Sequence, residues 1–173
     1  MVKRTDLSPV IVNDIALRPQ NELHRRKLEA LRYFMQQLLD SPIRDGIAKV
    51  ILFGSALEGD VGVESDVDLL VISAKDTASV REACADASLE TGFATKESVQ
   101  PLVYTLAHYL HPRSYFLYQV SRQGREVYTV KEADLKRTAI ETLYTLASDY
   151  LEGAKETLAS GRLRLAVDAG YNA

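Results

Sequence analysis

Two short apolar runs constrain this chain more than any other feature: KVILF at 49–53 and DVDLLVI at 66–72. Both are rich in β-branched residues, and the first stops at Gly54. Short runs of this kind, bounded by turn residues, read as buried strands. Strand side chains alternate between faces. Asp66 and Asp68 therefore share a face with Leu70 and Ile72, while Val67, Leu69 and Val71 take the other. Apart from the aspartates both faces are apolar, so both are expected to be covered. The stretch from Leu52 to Ile72 also holds Glu58, Asp60 and Glu64 but no Lys or Arg. Two carboxylates thus open a buried strand without a local counter-charge.

The flanking sequence supplies the covering layers. NELHRRKLEALRYFMQQLLD at 21–40 places Leu28, Leu31, Phe34, Met35, Leu38 and Leu39 at helical spacing behind a possible Asn21 N-cap. A second helix is predicted over 76–90, capped by Asp76, and a third over 112–124, closed by Gly124. Residues 97–105 read as a strand in which Pro101 implies an edge or a bulge. Residues 125–130 read as a short final strand, and residues 1–20 as an extended arm. The expected class is α/β: a small mixed sheet with flanking helices, followed by a helical extension.

Composition removes several classes. A net charge of −3 lacks the basic field of a general nucleic-acid binder. The single cysteine, Cys84, can build neither a disulfide nor a Cys-based zinc site within one chain, and it reads as a small core residue. His24, His108 and His111 are too scattered for a metal triad. No apolar run follows the basic residues of MVKRTDLSPV, and no stretch reaches membrane-spanning length. The expectation is an intracellular, cytoplasmic protein that neither spans a membrane nor binds nucleic acid.

The chemistry sits between the two strands. Paired carboxylates repel, and partial burial sharpens the repulsion. A hard divalent cation relieves it, and Mg²⁺ suits one or two carboxylates completed by substrate phosphates. Gly54 lets backbone approach a phosphate closely, and the Ser55 hydroxyl can donate to its oxygens. Each half alone is what an ordinary turn or strand end would give. Together they read Gly54-Ser55, ten residues, then Asp66-Val67-Asp68. That pattern, with Gly59 and SDVDLLV, resembles the signature of the polymerase-β-like nucleotidyltransferases, and of their minimal members in particular. The resemblance covers 21–130 and makes 1–130 the expected nucleotidyltransferase domain.

The resemblance implies a Mg²⁺-dependent transfer of a nucleoside monophosphate, AMP from ATP or the equivalent from another NTP, to an acceptor hydroxyl on a protein or small molecule. Asp66 and Asp68 would be catalytic metal ligands; Gly54, Ser55 and Ser65 would hold the nucleotide. Two departures stand out. The family usually supplies a third carboxylate from the next core strand. Here Glu97 at the strand's start is the candidate carboxylate, while Gln100 is the other residue that could occupy the position. An Arg often follows the Gly-Ser pair, but this chain has Ala56, Leu57 and Glu58. These departures keep a second class open: a non-catalytic nucleotide-binding or antitoxin-type module. A polymerase or tRNA-end enzyme fits the acidic balance poorly.

From Lys131 the pattern changes to one long helical stripe of about 40 Å, through Leu135, Ile140, Leu143, Leu151 and Leu158, stopping at Gly161. Residues 131–173 form the expected helical extension. Its last part resembles the opening of a HEPN domain, an ordinary helical hairpin being the other reading. The Arg-then-His site of HEPN ribonucleases is missing, since no His follows His111. The pattern breaks off midway, which suggests a piece of a longer protein or a lost second module. An incomplete HEPN-like domain implies a HEPN-type partner or a homodimer. Tyr104, Tyr115, Tyr118 and Tyr128 could stack on a base or finish a core; Arg113, Arg122 and Arg125 could meet phosphates or simply face solvent.

Overall fold

The computed structural model describes residues 7–171. It divides into two compact units, Met1–Val130 and Lys131–Ala173.

The first unit opens with a hairpin, β1 (Val10–Val12) and β2 (Ile15–Leu17), paired antiparallel. Asn13 and Asp14 both have positive φ, 47° and 67°. Asn and Asp tolerate that region, and a two-residue turn of this kind matches the twist of a hairpin. The expected extended arm is therefore a strand pair from Val10 on; its first six residues lie outside the described ones. Helix α1 (Glu22–Asp40) follows, with the Asn21 side chain accepting from the His24 N–H at 2.8 Å. A 3-10 turn, Pro42–Gly46, leads into β3 (Ile47–Phe53). Next come the single turn α2 (Ser55–Glu58), strand β4 (Val67–Ser73) and helix α3 (Thr77–Thr95). The Asp76 side chain caps α3 by accepting from the Ala78 and Ser79 N–H groups. The unit closes with β5 (Val99–Thr105), α4 (Leu106–Leu110), α5 (Tyr115–Gln123) and β6 (Arg125–Thr129).

The main sheet has the order β5-β4-β3-β6. β3 pairs antiparallel with β4 and β6, whereas β4 and β5 run parallel. A parallel pair needs a crossover, and α3 provides it. β5 is an edge strand, which is where Pro101 can be tolerated. One sheet face buries Val50, Leu52, Leu69 and Val71 with Leu28, Leu31, Phe34 and Leu38 of α1 and Val80 and Cys84 of α3. Ile51, Leu70 and Ile72 are buried on the other face, where α4 and α5 pack. Gly124 follows α5 so closely that a Cβ there would stand 2.4 Å from Ile51 Cγ2. Helix α3 runs five residues beyond the predicted 76–90, ending where Lys96 turns left-handed at φ 62°. Cys84 is buried in this core, and burial pushes its thiol up to about 12.

The second unit is α6 (Glu132–Ala159) and α7 (Leu163–Tyr171). Gly161, at φ 75°, makes the break between them. Among the described residues, no helix is long and apolar enough to cross a membrane.

Candidate active site

The ends of β3 and β4 meet in one row of the sheet. Phe53 lies opposite Asp68, and Asp68 lies opposite Gln100. Facing residues in a sheet project to the same side. That side is the one covered by α5, whose Phe116 ring meets Phe53 edge-on at 5.5 Å. Asp66, two residues earlier, reaches the same side through its neighbour: Gln100 Nε2 donates to Asp66 Oδ2 at 2.5 Å.

Directly after Phe53 the chain turns. Gly54 has φ 69° and ψ −158°, a region essentially closed to side chains. A Cβ on Gly54 would stand 2.5 Å from Asp68 Oδ2. Glycine is thus required twice, by its backbone and by the carboxylate packed against it. The Gly54 carbonyl accepts from the Leu57 and Glu58 N–H groups, which closes α2. The first amides of such a turn have no intrahelical acceptor, so those of Ser55 and Ala56 are what the turn can offer an anion. At the far end Gly59 is left-handed, at φ 85°.

The aspartates are partly buried. Burial first, and then the charge of Asp66, push the Asp68 carboxyl above the usual carboxylate range. Gln100 adds a neutral donor where the resemblance leads one to expect a third acid. An ionised carboxylate only accepts, so the amide presents its nitrogen to Asp66.

Ser65 lies in the loop before β4. Its hydroxyl accepts from the Gly62 N–H at 2.8 Å and closes the turn. Glu97 departs from expectation. It is 4% exposed, and its carboxylate is taken by Lys27, at 2.5 Å, and by Arg26, both of α1. In the structure this candidate carboxylate is a buried ion-pair partner, because α1 brings two cations to it. Gln100 stands beside the aspartate pair instead.

Two further residues stand out in the structure: Lys27, which the sequence reading passed over, and His24, which it weighed only as a metal ligand. His24 and Lys27 are buried polar members of α1. They sit four residues before Leu28 and Leu31, so they extend the helix's apolar stripe. A polar residue on a buried stripe was the signal available.

Among the described residues, no group of three or more His, Cys, Asp or Glu side chains could hold a metal. The acidic pair alone is a donor set of the kind that substrate phosphates complete. Asp68, half-buried beside a like charge, gains from a cation there, and so the residues present fit Mg²⁺.

No curated protein matches the chain. Among solved structures, one described as a toxin–antitoxin with AMP-PNP is 24% identical, covering 73% of this chain and 91% of that one, with a TM-score of 0.41. A MntA–HepT toxin–antitoxin structure is 23% identical, covering 70% of this chain and 86% of that one, with a TM-score of 0.36. The family model of the nucleotidyltransferase domain matches residues 28–101. That segment carries β3, the Gly54 turn, β4 with its aspartates and the start of β5 up to Pro101. The match to the nucleotidyltransferase domain family thus falls on the segment that holds the candidate site and covers less than half of the chain.

Proposed function

We propose that the chain is a Mg²⁺-dependent nucleotidyltransferase that moves a nucleoside monophosphate, AMP from ATP, to an acceptor hydroxyl on a protein or small molecule. One observation carries this reading: the Asp68 carboxylate packs into the space that Gly54 leaves open. Anion-binding turn and acidic pair thus form one site. Asp66 and Asp68 would hold Mg²⁺, which when bound neutralises the triphosphate and the developing charge. The Gly54 backbone and the Ser55 hydroxyl and N–H would hold phosphate oxygens. The acceptor oxygen forms a bond to the α-phosphorus. The bond from that phosphorus to the bridging oxygen breaks, pyrophosphate leaves with the electron pair, and the hydroxyl proton passes to solvent.

Gln100 favours a second reading. An amide opposite Asp68 can neither take a proton nor add ligand charge, and a nucleotide-binding module without transfer would need neither. Under either reading, exposed Ile140, Tyr144, Leu151 and Leu158 on α6 support association, with a HEPN-type partner or as a homodimer.

Incubation with ATP labelled at the α-phosphate, Mg²⁺ and candidate acceptors separates the two. Label transfer that disappears in Asp66→Asn and Asp68→Asn supports catalysis. Nucleotide binding without transfer to any acceptor supports the second reading.

A further inference from the structure

Helix α1 sends one buried polar side chain to each half of the site. His24 and Lys27 are 3% and 2% exposed. Spaced three apart, they share a helix face. His24 meets the Ala56 carbonyl through Nε2 at 2.9 Å and the Gln20 N–H through Nδ1 at 3.1 Å. A carbonyl only accepts and an amide N–H only donates, so these partners require the Nε2–H tautomer. Gln20 extends the same brace. Its Nε2 donates to the Glu58 carbonyl at 2.8 Å, and its side chain fills the space beside Gly59, where a Cβ would stand 2.2 Å away.

Lys27 grips the other half. An ammonium has three donors, and Lys27 has three acceptors: the Ser65 carbonyl at 2.5 Å, the Val63 carbonyl at 3.2 Å and Glu97 at 2.5 Å. Two of the three belong to the loop that delivers Asp66. A buried ion pair is weak as a source of stability, and well-packed apolar residues often replace one without loss. Stability alone therefore does not account for a charge directed at two loop carbonyls.

We propose that α1 is the positioning element of the nucleotide site. His24 fixes the 54–59 turn and Lys27 fixes the 63–65 loop, so that Gly54 and the two aspartates are held in one register toward a metal-bound nucleotide. The inference rests on the nucleotidyl-transfer reading above. Neither residue touches the reacting atoms; both are positioning residues.

Lys27→Met keeps the stem and removes the donors. Because it leaves Glu97 buried with Arg26 as its remaining cation, the double variant Lys27→Met/Glu97→Gln is measured beside it, together with His24→Phe. Hydrogen exchange maps the loops, circular dichroism reports folding, and Mn²⁺ with ATP is the binding probe, followed by water-proton relaxation. In the Lys27 variants exchange should rise about tenfold over 61–67 and stay unchanged over 54–59. In His24→Phe the pattern should reverse. Affinity for Mn²⁺–ATP should weaken by about 10–100-fold in each folded variant, as for loss of groups that orient metal ligands. A merely structural role would raise exchange in both segments together. That result, unchanged exchange, or unchanged Mn²⁺–ATP affinity would overturn the proposal. If the wild-type protein binds no Mn²⁺–ATP, the nucleotide reading itself fails, and the exchange maps alone decide whether α1 holds the two loops.

Discussion

The two units break the usual rule of burial in opposite directions. The first puts charge inside: Lys27 and Glu97 are buried and Asp68 is half-buried, within a core of closely packed strands. The second leaves apolar side chains outside: Ile140 is 68% exposed and Tyr144 76%, and among its described residues only Ala154 and Ala166 are buried. Burying charge is costly and exposing apolar surface forfeits stabilisation. Neither departure serves stability, so each marks a place shaped by something else. In the first unit that place is the candidate site at the ends of β3 and β4. In the second it is a helix pair whose apolar residues its own unit does not cover.

The largest effect should come from the acids. Asp66→Asn or Asp68→Asn should lower transfer on the order of 10³-fold, since charge stabilisation of a phosphoryl transition state contributes several kcal/mol. Circular dichroism should show the fold intact. Next, the contrast in packing can be measured directly. Leu69→Ala, in the fully buried face of β4, should cost about 2–5 kcal/mol in urea unfolding. Tyr144→Ala, exposed on α6, should stay within about 0.5 kcal/mol. Equal costs would erase the distinction between the units.

A smaller effect is expected at the turn. Gly54→Ala must adopt a backbone region that alanine avoids and push against Asp68, so about 1–3 kcal/mol of stability should be lost. Mg²⁺-nucleotide affinity should fall with it. The smallest effect has the opposite sign. Because folding raises the Asp68 pKa, its ionisation works against the native state. That penalty is absent at low pH, grows as the pH rises from the ordinary carboxylate value through the raised one, and is complete at neutrality. Metal-free Asp68→Asn should therefore melt about 2 °C higher than wild type at pH 7, since it relieves first the burial of a charge and then the screened repulsion from Asp66. The advantage should fade as the pH falls through that window.

Much of the first unit was legible because pattern and packing agree there. The runs at 49–53 and 66–72 become β3 and β4, and the stripe from Leu28 to Leu38 becomes the buried face of α1. Asn21 and Asp76 cap their helices through local bonds that a sequence displays openly. The first hairpin was missed because its strands are three residues each and its turn is Asn-Asp, a weaker signal than Asn-Gly. The ion pairs of Glu97 were not legible, for a different reason. At the mouth of a strand a lone acid resembles a ligand, and only tertiary contact reveals that Arg26 and Lys27, some 70 residues earlier in the chain, claim it. Likewise the parallel register that sets Gln100 against Asp68 depends on the crossover through α3, not on any local pattern.

The proposed function requires the Gly54 turn and the Asp66–Asp68 pair to form one metal-dependent nucleotide site. Calorimetric titration with ATP, with and without Mg²⁺, tests it most directly, using wild-type protein and the Asp66→Asn/Asp68→Asn variant. Binding should require Mg²⁺ in the wild-type protein and weaken at least about tenfold in the variant. Equal affinity in both proteins, or binding indifferent to Mg²⁺, would contradict the account.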